Sequence, residues 1–222
     1  MKTESLGGFD RFRVPAALLV IAIHTGPLLS LNGEANYLLT DILARIAVPF
    51  FFSVSGWFLV PRLLREGRAA LIPFVKKLLL LYGAAVLLYL PLNLYNHTLE
   101  ESGFALLRDV LFNGTFYHLW YFPALVLGAC LVYGLLRILG PRWAWLPALL
   151  LYAAGLLGDS YFGLTAALPP LRAGYEALFL LFDYTRNGLF FTPVFLLLGD
   201  WLALRPARRS AARARGTAIA WQ

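Results

Sequence analysis

The chain has 222 residues, 60% of them hydrophobic and 14% charged, against roughly 45–50% and 25% in a soluble domain. That composition excludes an ordinary soluble enzyme and points to a membrane protein. The net charge of +7 would suit nucleic acid, but its distribution among apolar runs argues against such a partner. The single cysteine, Cys130, cannot form an internal disulfide, and His24, His97 and His118 stand in separate segments without ligand spacing, so no metal site is signalled.

Apolar runs of about 18 residues or more are long enough to cross a hydrocarbon core of about 30 Å. Six are predicted, at 14–31, 42–60, 76–95, 118–139, 143–164 and 186–204, which gives an all-α, polytopic transmembrane helix bundle. The first exceeds the apolar stretch of a cleaved signal peptide and is expected to be retained. It carries His24, eleven residues after Arg13. At 1.5 Å and 100° per residue the two lie about 16 Å apart along the helix and within about 20° of one another, on one face. Pro15 fits if it occupies the first turn, and Pro27 predicts a kink beside the histidine. A histidine at that depth must find a partner in the bundle or a water-filled cavity. It serves either as a packing hydrogen bond or, when neutral, as a general base.

The second run goes the opposite way, with Arg45 near the outer face and Ser53, Ser55 and Gly56 about 12–16 Å deeper, the depth of His24. Such small residues mean close helix packing or, beside a kinked helix, the lining of a ligand cavity. Arg62, Arg65 and Arg68, then Lys76 and Lys77, crowd the next connection. The following outer loop, 96–117, is long enough to be functional, and its 104–112 stretch has the spacing of a short interfacial amphipathic helix. Aromatic residues at 116–122 read as an interfacial belt containing His118 and Trp120. After the fourth and fifth runs, 165–185 is a second long outer loop. Arg186 and Asn187 open the sixth run, placed either to bind a ligand or to anchor the helix. Residues 205–222 form a basic cytoplasmic tail after the transmembrane domain, 1–204.

All but four of the 19 Lys and Arg residues (Arg45, Arg108, Arg172 and Arg186) fall on one side of this arrangement. By the positive-inside rule both termini are cytoplasmic, and the basic loops contact anionic lipid.

"FDRFRVPAALLVIAIH", "VPFFFSVSGWFL" and "HLWYFPAL", in that order, resemble the acyltransferase-3 family of integral membrane acyltransferases. Within it, "ARIAVPFFFSVSGWFL", "LLYLPLN" and "RNGLFFTPVFLLLG" are most similar to the membrane domain of vancomycin-resistance-type serine racemases. The resemblance spans residues 8 to about 202 and implies transfer of an acyl group, often acetyl, from a cytoplasmic acyl-CoA to a hydroxyl of an envelope carbohydrate or similar acceptor. It implies His24 as the base and Arg13 at the donor entrance, with Arg62, Arg65 and Arg68 as donor-site candidates. Acyl-CoA is then a co-substrate, with no cofactor held permanently, and the location is the bacterial inner membrane, crossed several times. Ser53, Ser55 and Arg45 are expected to line the cavity, and His118, Trp120, Arg186 and Asn187 to lie on the acceptor side. The family has about ten spans, so six imply part of its transmembrane domain, and the pyridoxal-phosphate domain of the racemase relatives is not among these residues. The competing expectation is a transport or substrate-delivery module, for example for amino-acid uptake, without acyl-transfer chemistry.

Overall fold

In the computed structural model, residues 7–97 and 102–204 are described, with side chains from Arg11 onward. The predicted tail, 205–222, lies outside them. Among the described residues the chain is all-helical, without strands. Helices α1 (Gly7–Thr25), α2 (Gly33–Tyr37), α3 (Ala47–Glu66), α4 (Arg68–Tyr95), α5 (Gly103–Arg108), α6 (Tyr121–Trp143), α7 (Trp145–Gly158), α8 (Phe162–Ala166) and α9 (Pro169–Leu178) are followed by α10 (Thr192–Leu204). The helical run Gly33–Glu66, α4 and α6 are each long and apolar enough to cross a membrane, and α7 and α10 are shorter apolar helices. This is a helical membrane protein. On α4, Leu80 and Leu88 are each 76% exposed, as on a helix that faces lipid.

The first run departs from expectation at both ends. The polar stretch before it is helical from Gly7, so Pro15 sits inside α1 instead of in its first turn. The helix ends at Thr25 with no kink at Pro27. Gly26 takes φ +53° and donates its N–H to the Ala22 carbonyl at 3.0 Å, a glycine-closed terminus that the following proline cannot extend. His24 is therefore in the last turn of a helix, not midway along one.

The chain restarts at Asn32, whose side chain accepts from the Ala35 N–H at 3.0 Å, the capping role asparagine favours. From there it stays helical, through a π-helical turn at Leu38–Leu43 and a 3-10 turn at Ala44–Ile46, into α3. The 32–41 connection is thus mostly helix. In the second long loop, α9 begins on a proline pair and carries Arg172 bonded to Glu176 at 2.7 Å. The predicted 104–112 helix is present as α5 and a π-helical turn, Asp109–Asn113, capped by Ser102.

The core lies where α3, α6 and α10 cross. Phe52, Leu59 and Val60 meet Leu125, Ala129 and Val132 and Leu196 and Leu197, all at most 2% exposed. Lipid tails are as apolar as leucine, so such a crossing is held by backbone proximity and packing. A Cβ added at Gly56 would run into the Leu196 carbonyl, and one at Gly199 into the Ser53 carbonyl. The Ser-x-Ser-Gly stretch serves this crossing.

Candidate functional site

Five chain segments meet at one end of the bundle around a cavity of about 730 Å³. They are the C-terminal end of α1, the turns leading into α3, the approach to α6, the C-terminal end of α7 and the approach to α10. The first and fourth are helix ends and the others precede helix starts, as expected for alternately directed helices sharing one face.

Each segment is fixed by local hydrogen bonding. The last carbonyls of a helix have no partner within it. At the end of α7 they accept from side chains elsewhere, with Tyr175 donating to Ala154 O (2.6 Å), Thr185 to Gly155 O (2.6 Å) and Thr165 to Leu157 O (2.7 Å). The segment before α10 is closed by Asn187. Its Oδ1 accepts from the Leu189 and Phe190 N–H groups at 2.9 and 3.1 Å, and its Nδ2 donates to Tyr184 O at 3.0 Å. Gly188 packs so closely on α6 that a Cβ would meet the Ala124 carbonyl at 2.6 Å.

Of the residues singled out in the sequence, His24, Arg45, Trp120 and Arg186 line this cavity. The His24 ring lies 4.9 Å from that of Tyr117 and 6.0 Å from that of His118, centroid to centroid. His118 is not among the cavity-lining residues; it packs edge-on against Tyr89 and Phe116 at 4.7 and 5.1 Å. Trp120 stands edge-on to Tyr184 at 5.9 Å.

Several expected neighbours are elsewhere. Ser53 and Ser55 do not line the cavity: Ser53 is buried at the α10 crossing, and the Ser55 hydroxyl donates to Phe51 O at 2.9 Å. The reason is packing, since a residue small enough to make room for a ligand also lets two helices touch. Asn187 is spent on its own backbone turn and positions Arg186 instead of reaching the cavity. Arg13 lies farther down α1. Arg62, Arg65 and Arg68 are exposed around the turn that joins α3 to α4, where Gly67 takes φ +60°. Arg62 and Arg65 approach Glu66 at 3.4 and 3.8 Å. From Val48 at the cavity to Glu66, α3 rises about 27 Å. The structure thus brings the base candidate His24 together with Arg45 and two of the acceptor-side candidates, Trp120 and Arg186, and holds Arg62, Arg65 and Arg68 at the other end.

Two cavity residues overlooked in the sequence complete the arginines. Asp41 pairs with Arg45 at 2.8 Å, and Asp159 pairs with Arg186 at 2.7 Å. The first had a legible signal, the i,i+4 spacing of opposite charges on a helix; the second is joined only by the fold. Arg186 also lies over the Tyr184 ring, 5.6 Å from its centroid. Burial, with the nearby Asp183 carboxylate, pushes the Tyr184 hydroxyl up to about 12, so it remains a neutral donor. Among the described residues no group of three or more His, Cys, Asp or Glu side chains could hold a metal ion.

The site therefore combines an imidazole, two carboxylate-paired guanidinium groups and an aromatic wall. The acyltransferase-3 family, described as an acyltransferase domain, matches residues 6–220. The chain is 44% identical over 209 residues to an amino-acid racemase of Enterococcus faecalis, covering 93% of this chain and 29% of that protein. It is 43% identical over 216 residues to a serine/alanine racemase of Enterococcus gallinarum, covering 93% and 30%. It spans less than a third of the length of these relatives, consistent with a match to their membrane domain. No solved structure matches it significantly. The chain belongs to the acyltransferase-3 family.

Proposed function

We propose that this chain is an O-acyltransfer domain of the bacterial inner membrane, with six spans and both termini in the cytoplasm. It moves an acyl group, most simply acetyl, from a cytoplasmic acyl-CoA to a hydroxyl of an envelope carbohydrate or similar acceptor. The observation that carries this reading is His24 on the wall of a cavity of about 730 Å³, in a chain of an acyltransferase family.

His24 takes the acceptor hydroxyl proton as the oxygen attacks the thioester carbonyl carbon. Collapse of the tetrahedral adduct breaks the C–S bond, and the thiolate leaves with the electron pair and receives the proton from His24. The products are an ester and free coenzyme A. A neutral imidazole is suited to both transfers. Trp120, with Tyr152 and Tyr184, offers flat apolar faces to a sugar ring, and Arg186 offers hydrogen-bond donors. Arg13, Arg62, Arg65 and Arg68 form the donor side, where guanidinium forks suit the phosphates of coenzyme A. Acyl-CoA acts as co-substrate, and no cofactor is held permanently.

A second reading has support of its own, because the relatives are named racemases and this chain covers less than a third of each. The domain would then deliver an amino acid through the cavity without acyl transfer. Incubation of the purified protein with radiolabelled acetyl-CoA and envelope material separates the two. Ester-linked label in the envelope fraction is expected. Uptake of a small amino acid into proteoliposomes without any label transfer would replace the first reading with the second.

A further inference from the structure

Acyl transfer places negative charge on the former carbonyl oxygen, and a site that accelerates the reaction holds a donor ready for it. Two cations line the cavity, and they are built differently. Arg186 stands on the irregular segment before α10 and is paired across the cavity wall with Asp159 of the turn after α7. Arg45 belongs to a continuous polar chain that begins just beyond the end of α1, the helix that carries His24 in its last turn.

That chain starts where α1 ends. The Leu28 N–H donates to Asn36 Oδ1 at 3.2 Å, and Asn36 Nδ2 reaches Thr40 Oγ1 at 3.5 Å. The Thr40 hydroxyl lies 2.8 Å from Asn36 O and 2.9 Å from Asp41 Oδ2, one proton between two acceptors. Asp41 Oδ1 then accepts from Arg45 Nη2 at 2.8 Å. Asn36 and Thr40 are buried, at 9% and 5% exposure. Asp41 sits on the π-helical turn Leu38–Leu43, a local widening often found at functional sites. Buried polar groups are costly unless satisfied and rigid once they are, so Asn36 and Thr40 anchor the Asp41 carboxylate relative to the end of α1, and Arg45 is tied to it through an exposed pair one helical turn on. The guanidinium and the His24 ring line the same cavity.

We infer that Arg45 is the electrostatic partner of His24 in the acyl-transfer step, stabilising the oxyanion of the tetrahedral adduct, with Asp41 and Thr40 as the residues that position it. This rests on the acyltransferase reading. As His24 removes the hydroxyl proton and the new C–O bond forms, the carbonyl π pair moves to oxygen. Arg45 donates to that oxygen until the C–S bond breaks and the pair returns. Because Asp41 already holds one guanidinium nitrogen, Nη2, less reorganisation is required at the moment of reaction. Arg186, held less directly to His24, contributes to acceptor binding.

The test measures kcat and KM for the acceptor in wild type, Arg45→Gln, Arg45→Lys and Asp41→Asn, with radiolabelled acetyl-CoA and envelope glycan as substrates. Arg45→Gln is expected to lower kcat by about 10²–10³, the effect of removing one oxyanion donor, with little change in acceptor KM. Arg45→Lys retains the charge without the fork and recovers at least tenfold of that loss, on the same scale. Asp41→Asn lowers kcat about tenfold with KM unmoved, a split that a merely structural role would not produce. If Arg45→Gln does not give a cooperative thermal transition in detergent, Arg45→Lys decides: a lowered kcat at constant KM upholds the role. A raised KM at wild-type kcat, in either Arg45 variant, would overturn it. Wild-type protein that transfers no label would sink the acyltransferase reading itself, whereas active wild type with an equally active Arg45→Gln removes only the role of Arg45.

Discussion

The two ends of the helix bundle hold arginines in opposite ways. At the cavity, Arg45 and Arg186 each have one aspartate within 2.8 Å and share a wall with aromatic rings, the Arg45 pair exposed and the Arg186 pair half-buried. At the α3–α4 turn, Arg62, Arg65 and Arg68 are exposed, and two of them share Glu66 at the longer distances of 3.4 and 3.8 Å. A guanidinium in short contact with one carboxylate on a cavity wall keeps its direction and serves orientation. Exposed arginines with only long contacts interact weakly and are screened by salt, which suits drawing in a polyanion. Orientation at one end and attraction at the other is the division expected of a domain that receives its donor and acceptor from opposite sides.

The comparison is broken most completely at the element the two ends share. Gly56→Leu places a side chain in the path of the Leu196 backbone. It should cost about 3 kcal/mol or more, at or above the upper range for overpacking, and abolish the cooperative melting transition in detergent. An unchanged transition would mean that α3 and α10 are not so closely packed. The next effect sharpens the contrast. Arg186→Gln should raise acceptor KM about tenfold, the loss of a single charge-assisted hydrogen bond, with the KM for acetyl-CoA unchanged. Equal shifts in both constants would show that the ends are not separate. The reciprocal and smallest effect is that of Arg65→Gln combined with Arg68→Gln. Acetyl-CoA KM should rise about threefold and the difference should fade at high salt, while acceptor KM stays constant.

Much of the helical framework was legible because apolar length is a coarse and durable signal: a helix lies in each of the six predicted stretches, and in five of them it is an apolar one, three long enough to cross a membrane. The connections were less so. Gly26 followed by Pro27 is a stop signal, yet an apolar run continues past it, and hydropathy alone carries the helix too far. The α9 helix opens on a proline pair and is mostly exposed, so the same rule misses it. The site was legible where chemistry is rare. A histidine in an apolar run and isolated arginines on the sparsely charged side drew attention to His24, Arg45 and Arg186, which share the cavity. Ser53 and Ser55 misled because a small polar residue suits a cavity and a helix crossing equally. Asp159 could not be read at all, since its pairing with Arg186 exists only once α7 and α10 are side by side.

The most direct measurement of the central claim, that acyl transfer takes place at the cavity end of the bundle with His24 as base, is transfer of label from acetyl-CoA by wild type and His24→Ala at saturating substrates. Removal of a general base predicts a fall in kcat of about 10²–10⁴, with the melting transition retained. A His24→Ala protein that transfers label at the wild-type rate would contradict it.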